Sequence, residues 1–162
     1  PKGRVLAQNN EVSASRYGKD LARRLEAQGL EAIESRVEEL DALGLESESL
    51  DAVFLVKFYH DTVWMGVDRP EMLRRIRDSL NPDGVFLVVD HAAEAGVGLT
   101  EVSGLHRIEE ATLIAEVEAA GFRLAARSSL LANSGDDRTS NVFRSRVRGN
   151  TDRFMLRFDP AK

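Results

Sequence analysis

The sequence of 162 residues predicts an α/β fold, a sheet with helices on both faces and an antiparallel hairpin at its edge. Strand and helix signals alternate along most of the chain. Two continuous apolar runs, Ala52–Val56 and Val85–Val89, have the length of strands buried on both faces. The last two strand signals, Phe122–Leu131 and Arg153–Phe158, have no helical pattern between them, so they are expected to pair antiparallel. The length fits one domain spanning 1–162, since a chain near ~150 residues hides about 68–70% of its unfolded surface.

Gly3 introduces a short strand over Arg4–Gln8, and Asn9 and Asn10 end it. Ser13 is the expected N-cap of a helix to about Gln28, with Gly29 just past its end and Tyr17, Leu21 and Leu25 on one stripe. Leu30–Val37 alternates apolar and charged residues, as a half-exposed edge strand does. Acidic Glu38–Ser49 reads as a loop. After the Ala52–Val56 run, Arg69-Pro70 opens a helix with Met72, Leu73, Ile76 and Leu80 as its apolar stripe. Asn81-Pro82-Asp83-Gly84 has turn chemistry and is expected to stop it before the Val85–Val89 strand. Ala92–Leu105 is irregular, a helix runs from about Ile108 to Ala120, and Asn133–Asn150 is polar and loop-like.

The composition excludes several classes of function. A net charge of −5 gives no general attraction to phosphate, so nucleic acid is not an expected partner. The absence of cysteine excludes disulfides, thiolate metal sites and a cysteine nucleophile. No apolar run approaches the ~20 residues of a membrane span, and no leader pattern opens the sequence, so neither membrane nor export is expected and a cytoplasmic location is. Gly96 and Gly98 lack the strand-to-helix turn of a phosphate loop.

The order of elements, with Leu50-Asp51-Ala52-Val53-Phe54 as one strand and Leu80-Asn81-Pro82-Asp83-Gly84-Val85 leading into the next, resembles class I S-adenosylmethionine-dependent methyltransferases. Glu116-Val117-Glu118-Ala119-Ala120-Gly121-Phe122 before a late strand is a further likeness. Tyr59-His60-Asp61, Asp90-His91, Leu105-His106-Arg107-Ile108 and Arg148-Gly149-Asn150-Thr151-Asp152-Arg153-Phe154 resemble a group of bacterial predicted methyltransferases. The resemblance implies a Rossmann-like methyltransferase sheet, S-adenosylmethionine as cofactor, and methyl transfer to a small-molecule acceptor. The family's first strand and its Gly-rich turn have no counterpart in this sequence. The expectation is therefore a domain truncated at its amino-terminal side, or a rearranged sheet in which the family's second strand pairs directly with its fourth. A non-catalytic interaction module that pairs through an open sheet edge, or a homo-oligomer, is the rival expectation.

The resemblance places Asn9 at the cofactor ribose, where the family carries an acid, and Arg36, Val37 and Glu38 near the adenine. Ligands of open α/β sheets bind beyond the carboxyl ends of the strands. Lys57 and Phe58 follow the Ala52–Val56 strand and are assigned to the cofactor. Tyr59, Trp64, Asp90, His106 and Arg107 are assigned to substrate, and His60, Asp61 and His91 to catalysis as candidate bases. Trp64 either covers an apolar substrate or anchors its loop into the core, the commoner arrangement. No metal is expected, because the histidines lack the close helical spacing of a metalloprotease motif. Arg138, Arg144, Arg146 and Arg148 are expected to be solvated or to pair with Asp136, Asp137 and Asp152.

Overall fold

A computed structural model describes residues 3–30 and 32–161. They form two compact units, one up to Gly44 and one from Leu45.

The first unit holds β1 (Leu6–Asn9), α1 (Glu11–Ala27) and β2 (Glu34–Val37). β1 and β2 pair in parallel, with Asn9 opposite Val37. The side chain of Asn10, rather than Ser13, caps α1 by accepting from the Ser13 N–H at 2.9 Å. Gly29, at φ 64°, takes the left-handed turn after the helix. β2 is shorter than the expected 30–37 strand, of which residue 31 lies outside the described residues.

The second unit is a four-stranded sheet with helices packed on it. In chain order it contains β3 (Leu50–Val56), α2 (Tyr59–Trp64), α3 (Arg69–Ser79), β4 (Leu80–His91), α4 (Glu110–Ala119), β5 (Phe122–Ser128) and β6 (Arg153–Pro160). The sheet order is β3-β4-β6-β5. β3 and β4 are parallel, and β6 runs antiparallel to both β4 and β5, the closing hairpin expected from the sequence. The core is built on Phe86, Val88, Leu156 and Phe158 of the inner strands with Met72, Leu73, Ile76, Leu113 and Val117 of the helices. Among the described residues no helix is long and apolar enough to cross a membrane.

Several expectations change. Asn81–Gly84 does not separate helix from strand, because β4 starts at Leu80 and carries that segment as an irregularity in its register with β3. A Cβ at Gly84 would stand 2.9 Å from the Asn81 carbonyl and 3.1 Å from that of Leu50, so only glycine fits there. β3 is not buried on both faces: it pairs with β4 alone, and Phe54 is 67% exposed. β1 pairs with β2 within the first unit, and β3 with β4 within the second. β5 stops at Ser128 rather than Leu131.

Candidate active site

The carboxyl ends of β3 and β4 gather the protein's three histidines at one rim. β3 ends at Val56, and Lys57, at φ 54°, turns the chain directly into α2 while its N–H donates to the Val89 carbonyl. That turn sets His60 under the end of β4. Asp90, fully buried, accepts from the His60 backbone N–H at 2.9 Å and from the His91 N–H at 2.8 Å. Its Oδ1 also stands 2.7 Å from His60 Nδ1. The other ring nitrogen, Nε2, is 3.1 Å from Asp61 Oδ1. The same oxygen accepts from Trp64 Nε1 at 2.9 Å and meets His106 Nδ1 at 3.1 Å.

His60 therefore lies between two carboxylates with 3% of its side chain exposed. Burial works against its charge, but hydrogen bonds and attraction from Asp61 and Asp90 prevail and raise its pKa to about 9. The Asp61 carboxyl is held low: burial opposes ionisation, and the bonds from His60, Trp64 and His106 overcome it. His91 goes the other way. Burial is the main cause and takes it to about 4; Asp90 pulls it up, and the positive charges of His60, Arg107 and Lys57 push it down. Its Nδ1 is 2.7 Å from Thr151 Oγ1, and among the described residues nothing hydrogen-bonds Nε2.

The raised His60 value fixes a stability window. An imidazolium favoured by folding contributes in full below the unfolded value near 6.5, and its contribution is lost as pH rises through about 9. The denaturant midpoint is expected to fall from pH 6.5 to about 9, and His60→Gln is expected to flatten that slope. An unchanged slope in His60→Gln would refute the buried imidazolium.

The rim is walled by a long loop between β5 and β6. Arg107 is fully buried and pairs with Asp136 through Nη1 at 2.9 Å and Nη2 at 3.1 Å. Its remaining donors go to the carbonyls of Ser140 at 2.8 Å and Ala92 at 3.0 Å. Asp136 also accepts from the Asp152 N–H, next to the Thr151 that holds His91. Its carboxyl is held low: burial opposes ionisation, but the Asp152 N–H and the Arg107 guanidinium prevail. Tyr59 is buried too, donating to Glu116 at 2.7 Å, and Arg69 grips that carboxylate at 2.8 and 2.9 Å.

The family model for a methyltransferase domain matches residues 4–88, just over half of the chain. The chain belongs to the methyltransferase-domain family. No curated protein matches it. A SAM-dependent methyltransferase from Aquifex aeolicus superposes with a TM-score of 0.66 at 16% identity, over 97% of this chain and 69% of that one. A glycopeptide N-methyltransferase complexed with S-adenosyl-L-methionine gives 0.66 at 13% identity, over 98% and 73%. The [4+2]-cyclase SpnF gives 0.63 at 12% identity, over 98% and 75%. These likenesses establish the class I methyltransferase fold, Rossmann-like and α/β. The cyclase illustrates that the fold alone does not fix a reaction.

On this methyltransferase domain the expected site residues fall into distinct groups. His60, Asp61, Asp90, His91 and His106 do converge. Tyr59 and Arg107, expected to meet substrate, are buried with their polar atoms taken by Glu116 and Asp136, so both brace the fold. Asp90 likewise has its carboxylate engaged by His60 and His91, inside the rim rather than on it. Trp64 does not anchor a loop into the core: it ends α2 and is 52% exposed. Arg36 and Glu38 tie down the 38–44 loop, Arg36 through the Gly44 carbonyl at 3.3 Å and Glu38 through the Gly44 N–H at 3.0 Å. Arg138 pairs with Asp152 and Arg146 with Asp137, two of the expected pairings, the first on a buried carboxylate and the second at the wet surface. The Gly96 and Gly98 N–H groups hold the Glu109 carboxylate at 2.7 and 2.8 Å, a use of that segment internal to the protein.

Two residues were missed by sequence reasoning. Thr151 lies within the Arg148–Phe154 motif, and that motif was its signal. Phe143, exposed and 4.9 Å from the His106 ring centroid, sits in a polar loop that gave none.

Proposed function

We propose that this domain transfers a methyl group from S-adenosylmethionine to an acidic oxygen on an apolar small molecule, with His91 as the proton acceptor. The observation that carries the reading is the state of His91. Thr151 fixes its ring through Nδ1, and among the described residues Nε2 has no hydrogen-bond partner at the carboxyl end of β4. A ring whose pKa lies near 4 is neutral at physiological pH and able to accept. So weak a base takes only a fairly acidic proton, which favours an acidic phenol or enol over an aliphatic alcohol; a carboxylic acid, already ionised at neutral pH, would be methylated without a base. His60, already protonated and enclosed, is not the base. The Asp90 carboxylate holds the His91 backbone N–H, and Thr151 sets the ring.

Part of the cofactor set fits such a donor. Asn9 offers an amide donor and acceptor, and its register partner Val37 offers exposed apolar surface, a pairing suited to a ribose hydroxyl and an adenine face. Taken by themselves in the second unit, Lys57 and Phe58 stand at the carboxyl end of β3, the end at which open α/β sheets bind ligands. The side chains of Arg36 and Glu38 are committed to their loop and do not fit. When bound, the donor supplies an electrophilic methyl on a cationic sulfur. The chain's own work is to align the acceptor and remove its proton, with placement as the main source of rate.

Trp64, His106 and Phe143 form a run of ring contacts at 6.2 and 4.9 Å, with Trp64 and Phe143 exposed, and support an acceptor with an apolar, ring-bearing body. Trp64→Ala is expected to raise KM for such an acceptor about 10-fold with kcat little changed, in keeping with the ~1.5–3 kcal/mol of a large apolar side chain partly used. An equal fall in kcat would assign Trp64 to alignment instead.

The test is titration calorimetry of S-adenosylhomocysteine followed by a screen of phenols and enols for release of that product from S-adenosylmethionine. One-to-one binding with turnover of an acidic acceptor supports the reading, and neither binding nor turnover refutes it. The exposed Phe54 and Val56 on the edge strand β3 favour a second reading, a non-catalytic module that pairs edge to edge. Concentration-dependent self-association without turnover is its expected signature.

A further inference from the structure

Three groups on this rim share an arrangement that proton removal by His91 does not use. His60 Nε2, an Asp61 carboxylate oxygen and His106 Nδ1 all lie within 4.8 Å of one another. Asp61 Oδ1 stands 3.1 Å from each of the two ring nitrogens. Ligand atoms around a tetrahedral ion at ~2.0–2.1 Å stand roughly 3.3 Å apart, so two edges of a coordination face already have nearly the right length. We propose that His60, Asp61 and His106 bind a divalent first-row transition ion, with zinc the simplest choice, and that the ion displaces to solvent the proton that His60 carries on Nε2 in its absence.

The donor set favours that class of ion. Two imidazoles and one carboxylate suit zinc, iron(II), cobalt or nickel, whereas magnesium and calcium are held by oxygens. The surroundings have what such a site needs behind its ligands. Asp90 is buried and sits 2.7 Å from His60 Nδ1. It fixes which nitrogen of His60 faces outward and how the ring lies, the carboxylate–histidine pairing that commonly backs a metal ligand. Trp64 Nε1, donating at 2.9 Å, orients the Asp61 carboxylate in the same way.

The third ligand is brought in by strained backbone. His106 adopts φ 55°, in the left-handed region that disfavours a residue with a side chain. The strain is held by its neighbour Arg107, whose guanidinium is locked to Ala92, Asp136 and Ser140. As a result the His106 ring meets His60 edge-on, centroids 5.5 Å apart. Asp61 and His106 keep 20% and 22% of their side chains exposed, so an ion held there would have an open position toward solvent. His91 is the neighbouring ring, 5.9 Å from His60. An ion at this position would bring an acceptor's oxygen near His91. That catalytic meaning rests on the methyl-transfer reading, whereas ion binding itself does not.

The test uses the full chain, stripped with a chelator and titrated with Co²⁺ alone. One-to-one uptake with a Kd below about 1 μM and a visible d–d absorption band is expected, with Zn²⁺ displacing it. His106→Ala and Asp61→Asn, each with an unchanged circular dichroism spectrum, are each expected to weaken uptake by more than the ~10–100-fold typical of a lost outer partner. His91→Gln is expected to keep the ion. No uptake by the folded wild type, or equal uptake by His106→Ala and Asp61→Asn, would overturn the site. Turnover by the stripped chain would overturn only the catalytic meaning of the ion, and an ion bound without turnover would overturn only the methyl-transfer reading.

Discussion

Arg107→Ala is expected to cost about 3–5 kcal/mol of unfolding free energy, the loss seen when one partner of a buried ion pair is removed. The side chain is fully buried and makes contacts with two carbonyls and one carboxylate. Truncation leaves Asp136 as a buried charge with fewer donors and frees the Ser140 segment. Urea unfolding of the variant should show the shift as a lower midpoint. Arg107→Lys should recover little, because one ammonium cannot reproduce a two-pronged contact. A loss below about 1 kcal/mol would mean the loop holds Asp136 by itself, on the backbone N–H groups of Arg138 and Asp152.

His91→Ala is expected to lower kcat by about 10²-fold or more, the low end of general-base contributions because the ring is a weak base. The affinity for S-adenosylhomocysteine should be nearly unchanged, since His91 is placed at the acceptor. Thr151→Val should show a smaller loss, because it removes only the partner that fixes the ring. The pH profile of kcat/KM should stay flat down to about pH 5 and break near 4, well below a free histidine. A break near 6.5, or equal loss of turnover and product affinity in His91→Ala, would remove His91 from the proton path.

Much of this architecture is legible in the sequence, for identifiable reasons. Val85–Val89 and the Met72–Ile76 stripe are apolar at the right period, and burial in the sheet and helix answers directly to that period. The convergence of His60 and His91 follows from their places at the carboxyl ends of β3 and β4, while His106 lies just before α4, where the chain returns to that rim. What is illegible depends on partners far along the chain. α2 has six residues and no side-chain cap, so Tyr59-His60-Asp61 reads as loop. Nothing local says that Arg107 is buried, because its partner stands 29 residues away. The opposite protonation states of His60 and His91 likewise depend on tertiary surroundings, Asp61 and Asp90 raising the first and burial lowering the second. β3 reads as an interior strand because its apolar run is continuous, yet interior status depends on a second neighbour and not on the run itself.

The strand order carries a consequence for how this chain is made. β6 lies between β4 and β5, so the two earlier strands cannot complete their ladders until residues 153–160 have emerged from the ribosome. Until then β4 carries a bare edge rich in valine and phenylalanine, a template for pairing with other nascent chains. Assembly of the second unit is therefore late and non-local, and that edge of β4 stays unpaired from the synthesis of His91 to that of Arg153.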